Sequence, residues 1–231
     1  MPTIIEQIQN DILQPTISMS NILLKANVLA YELKNASLKN WIRNELDGYP
    51  NKEMLPDYRI ISVSSSGKFV GFGIGSLLQF RDLPIPVSVL PDSLQREVSS
   101  VRLREGIRSL EEMAQSEHGV SWEWPAEWIG VFNDEYLKLG SNLQCIKATI
   151  SLSPYIFSQI VETVRSRLQD LILELTDSPW YIENASIEPE KVQHLVEVNI
   201  FKNEIIEGDK ITGHVTGSSN IVIGKDDTMT F

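Results

Sequence analysis

The residues that could do chemistry are few and badly spaced for it. His118, His194 and His214 lie far apart, and none has a second ligand at metal-binding spacing, so no metal and no cofactor is expected. The single cysteine, Cys145, has no cationic neighbour in sequence and reads as a small buried hydrophobe. The glycine run from Gly71 lacks the Walker lysine and the complete dinucleotide fingerprint, and it sits inside an alternating pattern rather than before a helix. No Gly-x-Ser-x-Gly elbow exists. A restriction-type nuclease needs acidic-x-lysine on a strand, because carboxylates hold the metal while the lysine orients the attack. Only Glu32-Leu33-Lys34 fits, and its surroundings are helical. Arg108 and His118 are too far apart for a helix-borne ribonuclease pair. Arg102, Arg104 and Arg108 interleave with Glu105, Glu111 and Glu112, the pattern of a solvated helix face.

Apolar spacing defines the elements that must position these groups. Ile4, Ile5, Ile8, Ile12 and Leu13 predict a short helix stopped by Pro15. Ser18 or Ser20 can cap a second helix carrying Ile22, Leu23, Ala26, Leu29, Ala30 and Leu33. Ser37 can cap a third, with Leu38, Trp41, Ile42 and Leu46 on one face and Gly48 at a left-handed closing position. The last two form an antiparallel hairpin. From Trp41 to Arg59 the helical period gives way to a strand period, with Pro50 and Pro56 bracketing the exit.

Ile61 and Val63, a turn at residues 65–67, and then Val70, Phe72 and Ile74 predict a β-hairpin. Gly71, Gly73 and Gly75 share the other face of its second strand, a strip for close packing by the protein itself. Residues 83–91 read as an edge strand running into a helix. That helix continues through Leu94, Val98, Val101, Leu103, Ile107, Leu110 and Met113, bends near Gly106 and ends at Gly119. Trp122, Trp124 and Trp128 concentrate around Pro125, as in an edge strand tucked against a helix. Residues 147–152 alternate as a strand. Ser153 and Pro154 then open the longest helix, whose seam is Phe157, Ile160, Val161, Val164, Leu168, Leu171, Ile172 and Leu175. After an acidic loop at 176–191, Val196, Val198 and Ile200 alternate as a strand, and two short β segments follow with Gly213, Gly217 and Gly224. Such a tail is stable mainly by adding to a sheet.

The expected class is therefore α+β: an N-terminal helical hairpin packed on a small antiparallel or mixed sheet, a long central helix and a short glycine-rich β tail. The expected divisions are a domain at 1–176, a linker at 177–192 and the tail at 193–231. With 231 residues, 42% apolar and 22% charged, the chain can bury a proper core. One cysteine rules out an internal disulfide and suits a reducing compartment. No early stretch reads as a signal peptide or a membrane span. A net charge of −11 repels phosphate backbones, which disfavours nucleic acid as a partner.

Several pieces resemble the AbiTii domain of bacterial abortive-infection proteins: Leu24-Lys25-Ala26, Leu29-Ala30, Trp41, the run Glu45-Leu46-Asp47-Gly48-Tyr49-Pro50 and the run Leu55-Pro56-Asp57-Tyr58-Arg59. The likeness continues through Gly106-Ile107, Leu110-Glu111 and residues 164–168, covering roughly 18 to 176. It implies a cytoplasmic antiphage role and maps no catalytic residue onto these positions. The expected function is a self-associating or partner-binding sensor or adaptor, its partner a second copy, an effector encoded nearby or a phage protein. The alternative is a toxin enzyme acting on nucleic acid or nucleotides. The candidate interaction surface is Arg59, Trp122, Trp124, Ile211, Val215, Ile221 and Ile223.

Overall fold

The computed structural model describes residues 3–73, 76–178, 181 and 188–201. The expected β tail, with Ile211, Val215, Ile221 and Ile223, lies outside the described residues. The helical half begins with α1 (Ile4–Ile12), where the Thr3 hydroxyl accepts from the Glu6 amide and the Glu6 carboxylate accepts from the Thr3 amide. Ser18 caps α2 (Met19–Glu32). Lys34, at a φ of 52°, turns the chain, and Asn35 rather than Ser37 caps α3 (Ala36–Asp47), its Oδ1 accepting from the Leu38 amide at 2.8 Å. The reason is loop length: the turn is so tight that α3 has begun before Ser37 is reached.

A 3-10 turn (Asp57–Arg59) leads into β1 (Ile60–Ser62), followed by β2 (Ser65–Gly73) and β3 (Ser76–Pro84). The hairpin is therefore β2–β3, and residues 65–67 are strand rather than turn; Gly71 faces Leu143 of a neighbouring strand, so protein packing fills that side. The expected single bent helix is three elements: α4 (Asp92–Val98), β4 (Ser100–Arg102) and α5 (Ile107–Ala114). β4 pairs antiparallel with β1, Ile61 opposite Val101, and this long-range pairing overrides a helical spacing weakened by Ser99 and Ser100. Next come β5 (Val120–Glu123), α6 (Ala126–Lys138), β6 (Leu143–Leu152), α7 (Pro154–Thr176) and α8 (Pro189–Val196), the last running into a π-helical turn (Glu197–Phe201).

The class is α+β, with the helices leading and both sheets antiparallel. Every seam residue expected of α7 is buried, and α7 is the central element of a helical core with α1, α2, α3, α5 and α8. The α2–α3 hairpin packs on α5 and α7 rather than on the sheet. Val192, Val196 and Ile200, beyond the division expected at 176, enter the same core. Those three residues recur every four positions; the alternation of Val196, Val198 and Ile200 fits a strand equally well, and contact with α7 decides between them.

The four-stranded sheet, in the order β3-β2-β6-β5, has its own core. α6 lies across it, with Phe132 stacked on Tyr136 at 5.0 Å and edge-on to Phe69 at 6.1 Å. Asn133 ties α6 to the backbone of Cys145 through both its amide oxygen and its nitrogen. Val63 and Val101 touch both cores, so the β1–β4 ribbon joins the two halves. Among the described residues no helix is long and apolar enough to cross a membrane.

Candidate functional site

α3 and the segment leaving it bring the motif residues together. Trp41 and Glu45 are one helical turn apart on the buried face of α3, beside Leu38 and Ile42. Gly48 ends the helix at φ 95°, where a side chain would meet the Arg104 carbonyl at 2.7 Å. That close approach lets the Tyr49 amide donate to the Arg104 carbonyl (2.8 Å) and sends the Tyr49 ring back under the helix. Pro56 opens the 3-10 turn that delivers Tyr58 and Arg59 to the same place.

The result is a polar cluster around a fully buried ion pair. Glu45 Oε1 accepts from the Tyr49 hydroxyl at 2.5 Å and from the Tyr58 hydroxyl at 2.6 Å, while Trp41 Nε1 donates to the Tyr58 oxygen at 3.0 Å. Glu45 Oε2 accepts from the Arg59 guanidinium, and both of these side chains are fully buried. Arg59 also donates to the carbonyls of Glu105 (2.6 Å) and Leu103 (3.4 Å), and its Nε has no hydrogen-bond partner. Its guanidinium carbon is 5.3 Å from the centre of the Tyr49 ring, and that of Arg167 is 4.4 Å from the centre of the Tyr58 ring. Arg104 clamps the outside, donating to the carbonyls of Pro50 (2.6 Å) and Glu53 (3.2 Å).

Burial, reinforced by the charge of Glu45, holds both phenols far above their usual pKa. They therefore stay protonated as donors to the carboxylate. Over the cluster opens a groove of about 620 Å³ lined by Trp41, Tyr49, Met54, Leu55, Arg167 and Phe201, among others. A second hollow of similar volume, lined by Ser20, Arg108, Glu111 and Arg165, is structurally occupied with itself. Glu111 there accepts from the Met19 amide and the Ser20 hydroxyl at the start of α2, and Arg165 donates to the carbonyls of Ile12 and Ile17.

Of the candidate interaction surface, only Arg59, Trp122 and Trp124 lie among the described residues. Arg59 is buried in the helical half and cannot face a partner, because it neutralises Glu45. Trp124 is buried in the sheet half, donating to the Ser65 hydroxyl at 3.1 Å and packing edge-on to Trp128 and Phe132. Trp122, on β5, is 39% exposed. His118 and His194 are exposed, and among the described residues no metal-holding group forms. Cys145 is buried, which pushes its thiol pKa up. Glu45, Tyr49 and Tyr58 escaped the residue-by-residue reading; the available signal was a carboxylate on the Leu38–Trp41–Ile42 face, where a buried charge demands a partner.

Neither a curated protein nor a solved structure matches the chain. A family model, AbiTii, matches residues 3–200, from the capping box of α1 into the final π turn, and so takes in the clustered motif and both cores. The chain belongs to the AbiTii family.

Proposed function

We propose that the chain acts in abortive infection, the antiphage response to which AbiTii membership points, as a cytoplasmic partner-binding module rather than as an enzyme. The observation that carries this reading is the Glu45–Arg59 pair. The motif's carboxylate and guanidinium are tied up with each other and with two locked phenols, beyond the reach of a substrate. A motif of this kind shapes a surface; its chemistry is internal. A pocket gathering Arg59, Trp122 or Trp124 and a carboxylate would support the toxin alternative; Arg59 is buried against Glu45, and Trp124 is buried among the aromatic residues of the sheet core.

Protection of phage-challenged bacteria by the native chain and by Tyr58→Phe, compared at matched amounts of folded protein, tests the reading. Phenylalanine keeps the ring under Arg167 and removes only the hydroxyl, so equal protection per folded molecule is expected. Loss of protection by fully folded Tyr58→Phe protein would overturn the reading and make the cluster a working site.

A further inference from the structure

The four-stranded sheet has two unlike edges. β5 is short, carries the Glu123–Lys147 ion pair at 2.5 Å on its outer face, and runs directly into Pro125, so it is guarded against further pairing. β3 is nine residues long, and from Ser76 to Phe80 it contains no charge and no proline. Only beyond Phe80 do Arg81, Asp82 at φ 55° and Pro84 interrupt it. An edge run with neither charge nor proline is what natural sheets otherwise avoid leaving open.

Among the described residues nothing covers the inner face at this edge either. Directly paired residues share a face, so Phe80 lies on the side of Phe69 and Cys145, and Leu78 on the side of Gly71 and Leu143. That is the side α6 covers, with Phe132 and Tyr136 both 6.1 Å from Phe69. The cover stops short of β3: Leu78 is 43% and Phe80 37% exposed. Leu137 and Leu139, also exposed, end α6 just before the chain enters β6 at Leu143, which places them at the same end of the sheet.

We infer that β3 is the site at which a second copy of this chain adds, antiparallel, joining two four-stranded sheets into one of eight. The strand is self-complementary about Gln79. With Gln79 opposite itself, Leu78 of each copy faces Phe80 of the other, giving two aliphatic–aromatic pairs on the inner face, while Leu77 faces Arg81. The two uncovered inner strips become one, and each is closed from the side by the other. Charge permits the same place: the whole chain carries a net charge of −11, but the pairing run Ser76–Asp82 carries one positive and one negative charge and no net charge.

The inference rests on the partner-binding reading and names one partner for it. Sedimentation of the full chain across a concentration series, with Leu78→Lys alongside, measures the association. The native chain is expected to dimerise, and Leu78→Lys to weaken the dimer at least about tenfold, because it brings charge into the shared apolar strip. Gln79→Cys, a change on the outer face, tests register even if Leu78→Lys fails to fold. Directly opposed residues have Cα atoms about 4.5–5.5 Å apart, within disulfide reach, so Gln79→Cys should cross-link two copies on oxidation. Ser76→Cys should not, since its two copies would lie about 20 Å apart along the strand. The one native cysteine is buried and gives little background. A chain that stays monomeric at every concentration overturns the inference, as does a dimer indifferent to Leu78→Lys that forms no Gln79→Cys cross-link. A monomer that still protects bacteria would remove the pairing and leave the partner-binding reading standing; failure of that reading shows separately, through Tyr58→Phe.

Discussion

Replacing Glu45 by glutamine preserves the size of the side chain and removes its charge. The Tyr49 and Tyr58 hydroxyls can still donate to the amide oxygen, but Arg59 loses its counter-charge in a site with no solvent contact. Among the described residues two backbone carbonyls remain to the guanidinium, its Nε already lacks a partner, and no other carboxylate bonds to it. Breaking a buried ion pair from one side costs about 3–5 kcal/mol, well above the roughly 1 kcal/mol of a typical substitution. For a chain of this length each kcal/mol lowers the melting temperature by about 2–4 °C, so the expected drop is about 6–20 °C. Urea unfolding with an unchanged m-value is the assay. Replacing both Glu45 and Arg59 by methionine should cost less than Glu45→Gln alone, because no charge is then left buried. A loss below about 1 kcal/mol for Glu45→Gln would refute the argument that this pair is sealed from water.

Gly48→Ala should cost at least about 1–3 kcal/mol in urea melts, since alanine is strained at φ 95° and its Cβ would press on the Arg104 carbonyl. A neutral result would mean that residues 104–106 do not press against the end of α3. Trp124→Ala should lose about 3–5 kcal/mol, and Trp122→Ala about 0.5 kcal/mol, because only the first opens a cavity among Phe132, Trp128 and Phe69. Stability should also fall in alkali. Both phenols have raised folded pKa values, so their contribution is fully present below the unfolded value of about 10 and is lost as pH rises above it; at pH 11 the unfolded state gains about 1.4 kcal/mol per tyrosine. Replacing both tyrosines by phenylalanine should flatten that slope in pH-dependent melts.

Much of the fold was legible where a residue's role follows from its neighbours in sequence. The α7 seam, the Gly48 turn and the edge strand leading to Pro125 all depend on period, proline and glycine within a few positions. The misreadings have one cause. Residues 94–113 carry a helical spacing that β1 overrides by recruiting Ser100–Arg102 as a strand, and Val196 to Ile200 satisfy two periods at once until α7 selects one. α6, between the tryptophans and β6, was missed because its apolar side chains serve a second core that no local pattern announces.

The candidate site divides in the same way. By itself the sequence determined the family, through the runs at Glu45–Pro50 and Leu55–Arg59, and the helix end and proline turn that shape them. Only the tertiary structure decided that Glu45, Tyr49, Tyr58 and Arg59 meet, that Arg59 faces inward, and that Leu78 and Phe80 of β3 are exposed. The physical reason is range. Capping and periodicity act over one or two turns, whereas a charge pair across 14 residues and the reach of a helix across a sheet depend on how whole elements pack.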